Sequence, residues 1–223
     1  MSIIIDNFLD ENECREICKY AEYKKQHLIK TLPKYFEPTF NNLTNKKNQL
    51  TTAFHNQYNF FIDNPSYIKK FVLVLKKNIS NIEWPVVVQS WVNIYEKGEG
   101  IGKHQHRPAT ILGHPKATKV YASNIFIGGN NNVGVNYIIE GDIKKYKNEL
   151  GQIHLFDGSI EHYVDLNPYT EKRYTIGITI SCFDGGLDLN KIFFPFEKYN
   201  YIDNLYLIVN GFTGLFIIKD PSS

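Results

Sequence analysis

His104, Gln105 and His106 form a His-x-His pair. On an extended strand two such imidazoles leave the same face, with Cα atoms about 6.5–7 Å apart, a gap that both rings can close onto one ion. A third ligand has to come from elsewhere, and His162 is the candidate. It follows Phe156-Asp157-Gly158-Ser159, a turn that lifts the chain out of one strand and re-aims it. His162 lies 58 residues beyond His104, so the three meet only through a folded sheet. Taken alone, a His-x-His pair is as consistent with a surface accident as with metal binding; His162 in its context favours metal. Two more histidines share this stretch. His114 sits in the turn sequence Gly113-His114-Pro115 and reads as exposed, and His154 shares a strand face with Gln152 and Phe156, which suits a hydrogen-bonded structural role.

Arg173 lies 11 residues beyond His162 and opens a strand of clean alternation. Arg173, Thr175, Gly177, Thr179 and Ser181 point one way; Tyr174, Ile176, Ile178, Ile180 and Cys182 point the other. A face of Arg, hydroxyls and Gly suits a lined polar cavity better than a core, although an exposed polar face with a surface salt bridge gives the same pattern. An Arg at the head of such a face is a bidentate clamp for a carboxylate, and the Thr175 hydroxyl adds a donor. Asn93 shares a polar and aromatic strand face with Trp91 and Tyr95, and that face can line the pocket. Tyr121 and Asn124 follow on the next strand on opposite faces, so only one of them reaches the cavity. Tyr121 is grouped with Arg173, Thr175 and Asn93 as a candidate for cosubstrate binding.

The order His104-x-His106, Phe156-x-Gly158-x-x-x-His162, Arg173-x-Thr175 resembles the core of the Fe(II)- and 2-oxoglutarate-dependent oxygenases, nearest to a phage- and bacteria-associated prolyl-hydroxylase-like branch. Ser90-Trp91-Val92-Asn93, leading through Gly98 into a His-x-His, is similar to a Trp-x-Asn…His-x-His pattern of one oxygenase group in it. Ile5-Asp6-Asn7-Phe8-Leu9 with a capped helix also resembles that superfamily's N-terminal lead-in. The likeness covers roughly residues 1–25 and 86–183. It implies a double-stranded β-helix of jelly-roll or cupin type. It further implies Fe(II) on His104, His106 and His162, with 2-oxoglutarate as cosubstrate paired to Arg173. O2 would be the oxidant for an amino-acid, prolyl or small-molecule C–H bond. The sequence departs from the pattern at one place: the usual triad is two histidines and one carboxylate, and His106 stands where the carboxylate belongs. An all-His triad, a triad completed by another residue, and a site that no longer turns over all remain open, as does a His106 that stands behind the ligands.

The elements that must position these residues are legible from their periods. Residues 2–7 read as a strand; Asp10 and Glu13 form a capping-box-like start for a helix running to about Lys25. Residues 31–49 carry two prolines and many Asn and Lys, and read as an inserted loop within a region near 31–60. Asn64-Pro65-Ser66 starts a second helix reaching about Asn78. From Pro85 the period becomes two, with Val86, Val88, Val92 and Ile94 on one face and Gln89, Trp91, Asn93 and Tyr95 on the other. Strands follow over 119–127, 135–139, 152–156, 161–164 and 173–182. Strands at this density predict a mainly β fold, an antiparallel sandwich or barrel with two N-terminal supporting α-helices. The 223 residues are read as one domain: helical support over 1–85, a β core over 86–183, and an extension over 184–223 packed on the core or across a homodimer.

A net charge of +2 gives no electrostatic reason to expect nucleic acid or an anionic membrane as partner. No run approaches 18 apolar residues. The three cysteines, Cys14, Cys18 and Cys182, form no Cys-x-x-Cys pair, which argues against a disulfide framework or a cysteine zinc site. A cytoplasmic setting follows as the expectation (a host cytoplasm if the protein is viral), with a small molecule or peptide as substrate. The main rival function is a zinc enzyme using the same three histidines, in which Arg173 has no part. A metal-free β-sandwich binding module is the third.

Overall fold

The computed structural model describes residues 3–31, 50–51, 60–108, 117–183, 197–202, 205–209 and 215–218. His114 and most of the expected insertion lie outside them. The chain opens with strand β1 (Ile4–Asn7) and helix α1 (Glu11–Thr31). The capping box closes in both directions: Asp10 N–H donates to Glu13 Oε2 at 2.9 Å, and Glu13 N–H to Asp10 Oδ1 at 2.8 Å. The helix runs six residues past the expected end, because Gln26 to Thr31 contain no breaker and the first proline is Pro33. A short strand β2 (Leu50–Thr51) and a helical turn α2 (Phe60–Asp63) precede helix α3 (Ser66–Asn78). Pro65 sets the start of α3 at φ −65°, and the helix buries Ile68, Phe71, Val72 and Leu75 along one stripe.

The remaining elements are strands: β3 (Val86–Tyr95), β4 (Ile101–His104), β5 (Lys119–Gly129), β6 (Val135–Ile139), β7 (Asp142–Tyr146), β8 (Gln152–Asp157), β9 (Glu161–Val164), β10 (Arg173–Cys182), β11 (Glu197–Ile202), β12 (Leu205–Val209) and β13 (Leu215–Ile218). A seven-stranded sheet runs β1-β8-β5-β10-β3-β13, with β2 also on β3; a four-stranded sheet runs β4-β9-β6-β7; β11 and β12 form a separate pair. Two antiparallel sheets with helices on one side are the mainly β, jelly-roll architecture expected from the sequence.

The large sheet has two unlike faces. Its outer face carries Val86, Val88, Val92, Ile94, Ile125, Ile153, Leu155, Ile176, Ile178 and Ile180, and packs on Ile17 and Ala21 of α1 and Phe71 and Leu75 of α3. Its inner face looks at the small sheet, and between them lie Ala122, Phe156, Tyr137, Val135 and Val164. The alternation read from β3 and β10 therefore holds, and their register places Asn93 opposite Thr175, Trp91 opposite Gly177 and Tyr95 opposite Arg173. Between Tyr174 and Thr175 the β10–β5 register shifts by one residue on the β5 side. Gly129 closes that irregular end at φ +79°, and a Cβ there would fall 1.8 Å from the Lys172 carbonyl oxygen.

Candidate metal centre and buried polar pocket

His104 is the last residue of β4 and lies opposite His162 of β9, which in turn lies opposite Tyr137 of β6. The four-stranded sheet thus brings together two histidines 58 residues apart in sequence. His106 stands beyond the end of β4, so its position owes nothing to strand pairing. Its backbone N–H instead donates to Gly158 O at 3.0 Å, which ties it to the turn before β9. The Trp91 indole stacks on its ring, with centroids 5.7 Å apart and planes 24° apart. Gly177 makes room for that indole, because a Cβ at 177 would meet the Trp91 ring at 2.6 Å.

One nitrogen from each of His104, His106 and His162 lies within 4.8 Å of the others, and among the described residues no other His, Cys, Asp or Glu group forms such a cluster. His104 Nδ1–H donates to Gly102 O at 2.9 Å and His162 Nδ1–H to Ile160 O at 3.0 Å. A carbonyl only accepts, so both rings carry their proton on Nδ1 and present the Nε2 lone pair. His106 Nδ1 is hydrogen-bonded to Thr179 Oγ1 at 2.6 Å, and its Nε2 faces that of His162 at 3.3 Å. Two ligands each about 2.1 Å from one ion stand roughly 3–3.5 Å apart, so this pair is already at ligand spacing. Burial holds all three rings neutral: it is the leading cause that takes His162 down to about 3, His106 well below 6.5 and His104 below 6.5, with the neighbouring imidazoles adding to it for His106 and His162. Neutral imidazole is the metal-binding form. The residues present fit a divalent transition metal.

Further along the same inner face, Arg173 is fully buried. Its Nε–H donates to Val133 O at 2.9 Å and its Nη2 to Asn148 Oδ1 at 2.8 Å, while Nη1 has no partner. The guanidinium lies against the faces of Tyr95 and Phe126, centroids 5.3 and 5.5 Å away. No carboxylate pairs with it among the described residues. Around it stand other buried polar atoms without partners: Tyr95 Oη, Asn93 Oδ1 and His154 Nε2. Tyr95 Oη lies near Arg173 and Thr175 without closing a well-formed hydrogen bond to either. Asn93 Nδ2 reaches Thr175 Oγ1 at 3.3 Å. A buried cation with unused N–H donors and several orphaned neighbours costs several kcal/mol as it stands, a cost that an anionic ligand would relieve.

Of the residues picked out from sequence, His104, His106 and His162 come together, and Arg173, Thr175 and Asn93 lie side by side on the inner face. Tyr121 does not. It lies on the outer face beside Ile180, packed against the helix-side core under the Lys119 ammonium, and the inward place on β5 belongs to Asn124. His154 is buried and hydrogen-bonded to the Tyr137 hydroxyl at 3.2 Å, as the structural reading expected, yet its other nitrogen is buried without a partner. Sequence reasoning missed Tyr137, Thr179 as a partner of His106, and Asn148, which also reaches Asn124 Oδ1 at 3.4 Å. Only Thr179 carried a signal, its place on the alternating face of Arg173.

No protein-family model and no curated protein sequence matches the chain. Its fold is that of solved oxygenases. A Pseudomonas putida prolyl-4-hydroxylase superposes with a TM-score of 0.56 at 9% identity, over 81% of this chain and 92% of that one. The viral collagen prolyl hydroxylase of Paramecium bursaria Chlorella virus-1, in its 2-oxoglutarate complex, gives 0.54 at 14% identity, over 82% and 96%. HygX from Streptomyces hygroscopicus, with nickel and 2-oxoglutarate bound, gives 0.54 at 6% identity, over 81% and 82%.

Proposed function

We propose that the chain is a non-haem Fe(II)- and 2-oxoglutarate-dependent oxygenase. His104, His106 and His162 would hold the iron. Arg173, with Tyr95, Thr175 and Asn93 around it, would hold the far carboxylate of 2-oxoglutarate. The observation that carries this reading is the fully buried Arg173, with its Nη1 donors unused and no acid beside it among the described residues. A zinc enzyme could use the same three histidines but gives that guanidinium nothing to do. The fold shared with prolyl hydroxylases and with HygX supports the same class.

Bound iron with 2-oxoglutarate and O2 supplies oxidation of an unactivated C–H bond, coupled to decarboxylation of the cosubstrate to succinate. The chain's own residues orient and shield. Hydrogen bonds from Nδ1 to Gly102 O and Ile160 O fix two histidine rings with their lone pairs inward. Asn148 and the Val133 carbonyl hold the Arg173 plane, so its remaining N–H donors are already aimed before a carboxylate arrives. Trp91, Phe156 and Tyr137 line the histidines and keep water from their inner side. The substrate proposed is an amino acid, a peptidyl side chain such as proline, or a small molecule of similar size.

The test is an oxygen-free titration of 2-oxoglutarate into Fe(II)-loaded protein, followed by the metal-to-ligand charge-transfer band or by heat. Arg173→Ala should weaken binding by about 2–5 kcal/mol, and Arg173→Lys should recover part of it, because a point charge lacks the planar fork. Equal affinity in all three proteins would remove Arg173 from the site and with it the preference for an oxygenase.

A further inference from the structure

In the metal centre on which the proposed function rests, the three rings are not held alike. His104 and His162 each donate Nδ1–H to a carbonyl two residues earlier in the chain, Gly102 O and Ile160 O. A carbonyl only accepts, so those two rings keep one tautomer whatever else is bound. His106 lies beyond the end of β4, and its Nδ1 meets a side chain from the other sheet, Thr179 Oγ1 of β10, at 2.6 Å. A hydroxyl both donates and accepts. Of the three histidines, His106 is therefore the one with both neutral tautomers open to it.

The spacing to His162 decides which tautomer the metal-free protein holds. His162 keeps its proton on Nδ1, so its Nε2 is a bare lone pair, and His106 Nε2 stands 3.3 Å from it. That gap is a direct contact, too short to hold a water between the two nitrogens. With His106 protonated on Nδ1, two buried lone pairs would oppose each other with no donor between them. With the proton on Nε2, the same contact becomes an N–H···N hydrogen bond, and Nδ1 turns into an acceptor for the Thr179 hydroxyl. Metal coordination demands the other form, because His106 Nε2 then has to offer its lone pair.

We propose that Thr179 is the positioning residue of a tautomer switch at His106. In the metal-free protein the Thr179 hydroxyl donates to Nδ1, and His106 Nε2–H caps the His162 lone pair. In the metal-loaded protein His106 Nδ1–H donates to Thr179 Oγ1, and both Nε2 atoms serve as ligands. One proton leaves Nε2 and one arrives at Nδ1, so the ring is neutral before and after and no net proton is taken up. His106 is partly exposed, which gives solvent a route to carry that proton. Thr179 is only 7% exposed, so its hydroxyl stays on His106 in both states instead of turning to bulk water. His106 is thereby the ligand that has to give up a hydrogen bond to His162 in order to join the metal. The switch rests on the metal-binding part of the proposed function and holds equally for iron or zinc.

The experiment is nitrogen-15 NMR of histidine-labelled wild type near neutral pH, metal-free and with stoichiometric Zn(II), the His106 signals being assigned through His106→Gln. Protonated and bare ring nitrogens resonate far apart, so each tautomer is read directly. His104 and His162 should carry their proton on Nδ1 in both states. His106 should carry it on Nε2 without metal and on Nδ1 with it. Thr179→Ser keeps a two-way hydroxyl and should retain both the switch and the Zn(II) affinity of wild type. Thr179→Val should bind Zn(II) about 10- to 100-fold more weakly, the usual loss when the partner that supports a ligand goes. Its metal-free His106 should still be protonated on Nε2, because the bond to His162 remains. A metal-free wild type with His106 protonated on Nδ1 overturns the proposal and leaves the metal centre intact, and so does wild-type Zn(II) affinity in Thr179→Val. A His106 that keeps Nε2–H with Zn(II) bound overturns the switch and removes His106 from the ligand set. No Zn(II) binding by wild type overturns both the switch and the metal centre.

Discussion

The two faces of the large sheet come from the same strands and could hardly differ more. On the outer face Ile176, Ile178 and Ile180 of β10 meet the apolar stripes of α1 and α3 and are packed against carbon. On the inner face the intervening residues are Arg173, Thr175 and Thr179, all buried, with orphaned polar atoms beside them on β3 and β8. Apolar burial at about 25 cal/mol per Å² makes the outer face the source of stability. The inner face spends part of that stability on groups that no protein atom satisfies. This unmet polarity is what the proposed ligands would satisfy.

The strongest way to break this contrast is to remove a metal ligand. His162→Ala deletes the ligand of β9 while leaving the outer face untouched. Metal affinity should fall by at least about 100-fold, more than the 10–100-fold typical of losing a residue that merely supports a ligand. Fluorescence of Trp91, stacked on His106, offers a readout through quenching by Co(II). Unchanged affinity would take His162 out of the ligand set.

A pair of substitutions on one strand sharpens the contrast next. Ile178→Ala should cost about 2–5 kcal/mol of folding stability and leave metal affinity unchanged, since it opens a cavity against the helices. Arg173→Met should do the reverse. It removes a buried cation without a counter-ion, so the ligand-free protein should be as stable or more stable, by up to about 4 kcal/mol. The stabilisation that 2-oxoglutarate confers on the metal-loaded protein should vanish in the same variant. Urea unfolding with and without cosubstrate checks both. Two losses of similar size would mean that Arg173 is a structural residue.

How much of this was legible beforehand follows from what each signal depends on. β3 and β10 could be read face by face because their outer positions are nearly all Val or Ile and their inner ones polar or aromatic. On β5 the two faces, Val120-Ala122-Asn124-Phe126 and Tyr121-Ser123-Ile125-Ile127, have nearly equal hydropathy. Parity alone does not say which is inward, and the expectation for Tyr121 falls on the wrong side. His162 was found because a turn and an interval pointed to it. Asn148 was not, since an Asn between Lys147 and Glu149 reads as any exposed loop until the fold lays it against Arg173. The pairing of β13 with β3, which buries Ile217 and Ile218, likewise depends on a contact more than a hundred residues apart that no local period announces.

The smallest expected effect is the most direct probe of the inner face in the ligand-free protein, and it comes from pH. His154 is fully buried, and burial, helped by the Arg173 charge, takes it down to about 4 from an ordinary 6.5. Between those two values the unfolded chain binds a proton that the folded chain refuses, so stability is whole above pH 6.5 and declines as pH falls toward 4. At about 1.4 kcal/mol per unit, His154 alone should cost about 1 kcal/mol between pH 7.5 and 5.5. His162, held down to about 3, adds a similar loss over the same interval. Saturating metal should suppress the His162 share, because a coordinated ring competes against the proton in the folded state. The His154 share should survive metal and disappear in His154→Gln, which keeps a polar group for the Tyr137 hydroxyl but cannot titrate. Unfolding free energies at pH 7.5, 6.5 and 5.5, for wild type and variant with and without Zn(II), separate the two. A variant whose slope with pH equals that of wild type would show that His154 is not held neutral by the pocket, and that this end of the inner face is open to water.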